Sequence, residues 1–149
     1  IAFDIEVALS LEGDTGPYLQ YTHARFKSVL RKVKPEPKKA SAAVRSLNSV
    51  PLPPFALLGQ ISQIERRLAL EILRFPEVVN DAANSFSPNV LANYLHNTAM
   101  LANEFYHSHP VMQEKDGAKK QLRVGLAKTL TATLEKGLNI LGISAPEKM

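Results

Sequence analysis

Two tyrosines, an arginine and a lysine share one side of a predicted helix in the segment GDTGPYLQYTHARFKSVLRK, residues 13–32. Counting about 100° per residue from Tyr18, the helical wheel places three side chains within about 60° of it, namely Tyr21, Arg25 and Lys32. The apolar residues of this helix occupy the neighbouring sector, so the tyrosines border the core-facing stripe. Aromatic faces beside a guanidinium suit stacking on unpaired RNA bases. The pattern therefore predicts a nucleic-acid contact.

The same side chains also have purely structural interpretations. Tyr18 and Tyr21 fit an amphipathic helix whose aromatic residues pack beneath the Pro-rich segment that follows. Arg25 fits a surface ion pair with Asp14 or Glu12, which would contribute little to stability. Residue types alone do not separate these interpretations from RNA binding.

Residue patterns typical of an active site are absent from the sequence. The glycines of EGDTG, residues 12–16, lack the GK[ST] ending of a phosphate-binding loop and indicate a turn. His96, His107 and His109 have no supporting carboxylate or thiol pattern, so no metal site is predicted. The absence of cysteine excludes disulfides, cysteine-based zinc sites and thiol nucleophiles. We expect no catalytic residue and no cofactor in this chain.

Length and charge indicate one basic globular domain. The chain has 149 residues and a formal net charge of +4, enough length to bury a sizeable core. Residues 31–50 hold six basic residues and one acidic residue, and residues 117–149 hold six and two. These regions could face one polyanion, although a solvated surface explains them equally well. No apolar run reaches the roughly 18 residues of a membrane span, and we expect a cytoplasmic monomer.

Hydrophobic periodicity predicts an all-α bundle of about five helices. The first helix begins at Pro17 and ends near Val33. A Pro-rich connector is predicted at residues 34–54. The other helices are predicted at residues 55–74, 76–83, 88–107 and 118–141, with Ser87 capping the fourth helix and Gly142 as a left-handed stop after the fifth.

Five sequence blocks resemble the C-terminal anticodon-binding domain of arginyl-tRNA synthetases, often called the DALR domain. The first block is FDIEVALSLEGDTGPYLQYTHAR, residues 3–25. Four more follow in the family's order: LRFPEVVNDAA (73–83), LANYLHNTAMLANEFYH (91–107), LTATLEKGLNILGI (130–143) and APEKM (145–149). The resemblance covers nearly the whole chain, and it implies a DALR-type helical bundle.

The resemblance also implies a division of labour within a longer polypeptide. Residues 1–12 would be the remnant of a link to the catalytic domain, and residues 13–149 would be the anticodon-binding domain. The domain would recognise the anticodon loop of tRNA(Arg) and support ATP-dependent arginylation. That reaction would belong to a catalytic domain of the same polypeptide, because the HIGH-like and KMSKS-like motifs of the family do not occur in this chain.

Position by position, the resemblance assigns anticodon contacts to five residues: Tyr18, Tyr21, Arg25, Tyr106 and Met149. Stacking of an aromatic ring on a splayed base contributes about 1–3 kcal/mol, arginine supplies directed hydrogen bonds, and a methionine thioether adapts to a flat ring. Since every arginine codon has guanine in the middle, one pocket for cytosine would serve all the isoacceptors. Structural alternatives again exist: Tyr106 fits a core aromatic at the bundle rim, and Met149 fits a mobile terminal residue.

Lys32, from the same helix stripe, completes the predicted RNA-binding set. A different class of function remains open, namely a helical protein-interaction module whose basic surface binds an acidic partner. Synthetases for cysteine, glycine and methionine carry comparable helical domains. The YLQYTHAR block and the terminal methionine favour the arginine family.

Overall fold

The computed structural model describes residues 15–33 and 61–149, and all of the regular structure in these two ranges is helical. Five helices are present there: α1 (Gly16–Lys32), α2 (Gln63–Leu73), α3 (Phe75–Asn84), α4 (Pro88–Ser108) and α5 (Gly117–Ile140). The predicted all-α bundle of about five helices is confirmed. The predictions for residues 1–12, for the connector at 34–54 and for the start of the second helix lie outside the described residues.

Local hydrogen bonds explain where most of these helices begin. The Thr15 hydroxyl accepts from the Tyr18 N–H at 3.2 Å and caps α1, and Ser62 forms a reciprocal capping box with Glu65 at the start of α2. The Asp116 carboxylate accepts from the first N–H groups of α5. Such bonds satisfy backbone donors that have no partner inside the helix.

The junctions before α4 and after α5 match the predicted positions, with one difference. Ser87 does precede the first residue of α4, but its hydroxyl donates to the Ser85 carbonyl oxygen at 3.0 Å instead of capping the helix. Gly142 follows α5 with a φ of 75°. This left-handed conformation is open to glycine at little cost, so the predicted stop is confirmed.

Helix α4 is the centre of the bundle, because it packs against each of the other four described helices. Its Leu95, Ala99 and Phe105 are fully buried, and the Phe105 ring stacks on Phe26 of α1 with ring centroids 6.4 Å apart. Leucines recur every four residues along α5; Leu130, Leu134 and Leu138 are fully buried, but Leu122 and Leu126 nearer the start of the helix are only half-buried. A four-residue spacing turns by about 40° per step, so one row of leucines cannot keep facing the same neighbour.

A buried ion network joins α2, α5 and the loop between α4 and α5. The Arg123 Nε donates to Glu65 at 2.7 Å, and Arg123 Nη1 lies 2.7 Å from a Glu114 carboxylate oxygen. Burial alone would raise the pKa of Glu65, but the hydrogen bonds from Arg123 and from the Ser62 backbone outweigh it and lower that pKa. The network therefore holds a charged glutamate inside the fold.

Among the described residues, no helix combines the length and the apolar character that crossing a membrane requires.

Candidate nucleic-acid interface

An open pocket of about 400 Å³ lies between α1, the end of α4 and residues 148–149. Five of the six residues predicted from the sequence line this pocket: Tyr21, Arg25, Lys32, Tyr106 and Met149. They come from three separate parts of the chain, which only the fold brings together. Tyr21 is 36% exposed and Met149 is also open to solvent, so both are accessible to a ligand.

The Arg25 guanidinium lies close to two aromatic rings that line the pocket. Its Cζ lies 4.7 Å from the Tyr21 ring centroid and 4.9 Å from the Tyr106 ring centroid. Its Nη2 also donates to the Tyr21 hydroxyl at 2.9 Å. A guanidinium held over ring faces gains cation–π attraction, so the pocket holds this side chain in place without a bound ligand.

Asn103 of α4 orients Arg25, and sequence reasoning did not identify it as a site residue. Its Oδ1 accepts from Arg25 Nη1 at 3.2 Å, and its Nδ2 donates to the Tyr18 hydroxyl at 2.8 Å. A longer contact of 3.3 Å joins Nδ2 to the Thr22 hydroxyl. The available signal was the position of Asn103 three residues before Tyr106, which puts both on one side of a helix.

Tyr18 lies beside the pocket and does not line it. Its half-buried ring is 5.6 Å from the His96 ring, centroid to centroid, and its hydroxyl accepts from Asn103. The described contacts of the Tyr18 side chain are therefore with α4. The connector proposed as its alternative neighbour, residues 34–54, lies outside the described part of the chain.

Tyr106 packs against the core and also lines the pocket. One side of the ring packs edge-to-face on Phe26 of the core at a centroid distance of 5.9 Å. Another part of the ring meets Arg25 and lines the pocket. The core contact fixes the ring, and the fixed ring in turn limits the positions that the Arg25 guanidinium can take.

The segment of residues 142–149 runs along α1 and brings Met149 to the pocket. Gln20 Nε2 donates to the Ser144 carbonyl oxygen at 2.7 Å, and His23 Nδ1 donates to the Pro146 carbonyl oxygen at 2.9 Å. Lys27 Nζ lies 3.7 Å from a Glu147 carboxylate oxygen. Residues 20, 23 and 27 are three and four apart, so one face of α1 binds this segment while the adjacent face carries Tyr21 and Arg25.

The family model for the DALR anticodon binding domain matches residues 19–149. The chain belongs to this family. The arginine–tRNA ligase of Thermus thermophilus is 40% identical over 160 residues, covering 100% of this chain and 23% of that protein. The arginine–tRNA ligase of Alkaliphilus metalliredigens is 37% identical over 150 residues, covering 100% of this chain and 24% of that protein.

A solved structure gives the same result for the fold. The Thermus thermophilus arginyl-tRNA synthetase superposes with a TM-score of 0.81 at 40% identity, over 100% of this chain and 24% of that one. The DALR domain described here thus spans about a quarter of the length of the relatives it matches. The predicted family and the predicted fold class are confirmed.

Positive charge surrounds the pocket of this DALR domain. No acidic side chain is among the described residues that line it. Four of the lining side chains are basic: Arg25, Arg31, Lys32 and Lys148. A concave surface that has positive side chains and the exposed Tyr21 ring favours an anionic, stacking ligand, which is the chemistry of single-stranded nucleic acid.

Among the described residues, the histidines do not belong to a metal-binding cluster. Within residues 15–33 and 61–149, no group of three or more metal-binding side chains lies close together. His109 instead stacks on Phe105 with ring centroids 5.9 Å apart, and His107 meets the Tyr106 ring edge-on at 5.5 Å. These described contacts give both rings a packing role.

Proposed function

We propose that this DALR domain binds the anticodon loop of tRNA(Arg) as part of an arginine–tRNA ligase. The observation that carries the proposal is the Arg25 guanidinium, held between the Tyr21 and Tyr106 rings in a basic pocket that Met149 borders. The matched relatives named arginine–tRNA ligase cover the whole chain, which supports the choice of arginine. ATP-dependent arginylation would take place in a catalytic domain of the same polypeptide.

The pocket suggests how an unpaired base would be bound. The exposed Tyr21 ring offers a stacking surface, and the Met149 thioether can pack on the base from another side. Two N–H groups of Arg25 already bond Tyr21 and Asn103, and those that remain can donate to the base. Cytosine presents its O2 and N3 as acceptors, so a donor-only guanidinium matches the middle base of every arginine anticodon.

Phosphate groups on either side of the bound base would meet the basic rim. Lys32 and Arg31 are exposed at the end of α1, and the exposed Lys148 also lines the pocket. Such contacts position the backbone and make binding depend on salt, but they carry no sequence information. Base selection is therefore assigned to Arg25, Tyr21, Tyr106 and Met149.

Several parts of the proposal go beyond the pocket. The direct anticodon contact by Tyr18 remains a prediction, and the described contacts support a role for it in holding Asn103. The division into a linking remnant at residues 1–12 and a binding domain at residues 13–149 also remains a prediction. The same applies to the cytoplasmic location and the monomeric state.

A titration with tRNA(Arg) tests the proposal directly. Replacing Arg25 by alanine should weaken binding by about 1–3 kcal/mol, a factor of about 5–150, if the contact is base-specific. Arg66→Ala is the charge-matched control, because Arg66 is exposed on α2 and does not line the pocket. Calorimetry or filter binding at one fixed salt concentration measures both variants.

The RNA offers a second arm of this test. An anticodon loop in which uridine replaces the middle cytosine should bind more weakly to the unmodified domain, and Arg25→Ala should lose that discrimination. Equal affinity of Arg25→Ala and Arg66→Ala for tRNA(Arg) would contradict the proposal. Recovery of one acidic protein from a pull-down, with no enrichment of tRNA, would favour the protein-interaction alternative.

A further inference from the structure

His23 is a fully buried polar residue on the face of α1 that binds residues 142–149. We propose that His23 is a positioning residue, whose hydrogen bond to the Pro146 carbonyl oxygen holds this segment against α1 and thereby fixes Met149 as a wall of the pocket. The role of Met149 in RNA binding rests on the function proposed above. The docking of the segment does not, and it can be tested without RNA.

The hydrogen bond to Pro146 requires a proton on one particular nitrogen of the imidazole. A carbonyl oxygen only accepts, so the His23 Nδ1, at 2.9 Å from the Pro146 oxygen, carries the proton. The other ring nitrogen, Nε2, lies 3.9 Å from a Glu135 carboxylate oxygen of α5, and Lys27 Nζ lies 3.4 Å from the same carboxylate. The described charged groups around the ring are therefore Glu135 and Lys27.

Among the polar contacts to the segment, the His23 bond is the one made by a fully buried side chain. Leaving a buried polar group without a partner costs free energy, so releasing the Pro146 carbonyl is unfavourable for the His23 ring. The contact between Lys27 and Glu147 involves an exposed carboxylate and contributes little. The Gln20 bond to Ser144 is also exposed. His23 therefore has the largest share in holding the segment.

Backbone geometry and apolar packing lead the chain to this bond. After α5, the Ile143 N–H donates to the Leu138 carbonyl oxygen at 2.9 Å, next to Gly142 in its left-handed conformation. Ile143 and Ala145 then pack against the core as partly buried side chains. The Pro146 carbonyl oxygen then meets the His23 ring, three residues before Met149. The segment is therefore ordered from its first residue up to the hydrogen bond.

Prior ordering of the segment has a consequence for affinity. A wall that is already in place loses little conformational entropy when a ligand binds, whereas a free segment must be ordered at that moment. Loss of the His23 bond should therefore weaken RNA binding through Met149, although His23 itself is buried and cannot touch the RNA.

Methionine methyl spectra of the free protein test the docking. The chain contains three methionines, Met100, Met112 and Met149, so the signals of ¹³C-methyl-labelled protein can be assigned by substitution. The Met149 signal should be displaced by the neighbouring tyrosine rings. In His23→Leu it should move to the position of a free methionine and sharpen, while Met100 and Met112 keep their shifts and report an intact fold.

A conservative variant separates the hydrogen bond from simple packing. In His23→Asn the side-chain amide can place an N–H close to the Nδ1 position, so the Met149 signal should return toward its wild-type shift. A Met149 signal that is at the free-methionine position in the unmodified protein, or that is unchanged in His23→Leu, would overturn the proposal. So would an Asn variant that behaves like the Leu variant.

A measurement on the unmodified protein keeps the proposal testable even if both variants fail to fold. In ¹⁵N-histidine-labelled protein, the His23 Nδ1 should be protonated and its hydrogen should exchange slowly with water. A neutral ring protonated at Nε2, with a bare Nδ1, would overturn the proposal.

RNA titrations then connect the docked segment to the proposed function. His23→Leu and Met149→Ala should each weaken tRNA(Arg) binding by about 2–10-fold. The double variant should bind tRNA(Arg) no more weakly than the single variant with the lower affinity, because both changes remove the same wall of the pocket. Fully additive losses would overturn the positioning role. Absence of RNA binding by the unmodified protein would contradict the proposed function and leave the methyl and imidazole signals as a separate test of the docking.

Discussion

Two arginine-centred clusters in this molecule use the same side chain in opposite ways. Arg123 lies between the carboxylates of Glu65 and Glu114 and is mostly buried, so its charge is neutralised inside the fold. The described partners of Arg25 are the side chains of Tyr21, Asn103 and Tyr106, none of which carries a negative charge. Neutral partners fix the geometry of a guanidinium and leave its charge available to a ligand, whereas acidic partners use that charge for stability.

The largest effect should come from removing the neutralised arginine. Arg123→Met leaves two carboxylates near each other without their shared cation, and breaking such a buried network costs about 3 kcal/mol or more of unfolding free energy. Urea denaturation measures the loss. Lys128→Met, at an exposed position of the same helix, is the matched control and should change stability by less than about 0.5 kcal/mol.

The folded fraction of Arg123→Met should bind tRNA(Arg) with unchanged affinity, because the ion network does not line the pocket. An affinity loss as large as that of Arg25→Ala would show that the two clusters are not separate in function.

The next largest effect should come from giving Arg25 an acidic partner. In Asn103→Asp, the carboxylate would still accept from Arg25 and could accept from the Tyr18 hydroxyl, so folding stability should be retained or slightly raised. Affinity for tRNA(Arg) should fall by about 1–3 kcal/mol, because the guanidinium charge is neutralised and a negative charge approaches the RNA. Calorimetric titration and thermal denaturation of one sample measure both quantities.

Asn93→Asp adds the same charge at an exposed position of α4 that lies outside the pocket lining. It should weaken binding much less than Asn103→Asp does. Similar losses for the two variants would mean that overall charge, and not the partners of Arg25, controls the affinity.

The geometry of Arg25 should matter in addition to its charge. Arg25→Lys keeps the positive charge but loses the planar fork that bonds Tyr21 and Asn103 and faces both rings. We expect an affinity loss of about 1 kcal/mol with little change in the salt dependence of binding. A Lys variant with wild-type affinity and wild-type discrimination at the middle base would contradict a directed contact.

The two clusters also differ in how far the sequence could predict them. The pocket depends on α1, where Tyr21 and Arg25 are four residues apart and meet as local neighbours on a helix. Tyr106 and Met149 were assigned through family resemblance, because no local pattern reports contacts with such distant parts of the chain. The helices themselves follow from periodicity and from proline and glycine positions, which act over a few residues.

Tertiary packing explains what the sequence did not reveal. The wheel of α1 grouped Tyr18 with Tyr21, but α4 covers the Tyr18 side of the helix and leaves Tyr21 at the solvent edge. Arg123 and Glu65 are 58 positions apart, so neither charge indicates its partner. The residue type of Asn103 does not indicate a function. Its role depends on hydrogen bonds with three side chains of α1, namely Tyr18, Thr22 and Arg25.

The smallest effect in this comparison is the pH dependence of the ion network. The partners of Glu65 lower its pKa in the folded protein below the usual value of 4.5. A lowered folded pKa stabilises the fold above the unfolded value, and this contribution disappears as the pH falls from about 4.5 through the folded pKa. Glu65→Gln should therefore be clearly less stable than the unmodified domain at pH 7, and the difference in unfolding free energy should narrow in acid.

Glu104→Gln, at an exposed position of α4, is the control and should change stability little at either pH. A Glu65→Gln difference that stayed constant down to pH 3 in urea denaturation would show that packing, and not the charge paired with Arg123, accounts for the stabilisation.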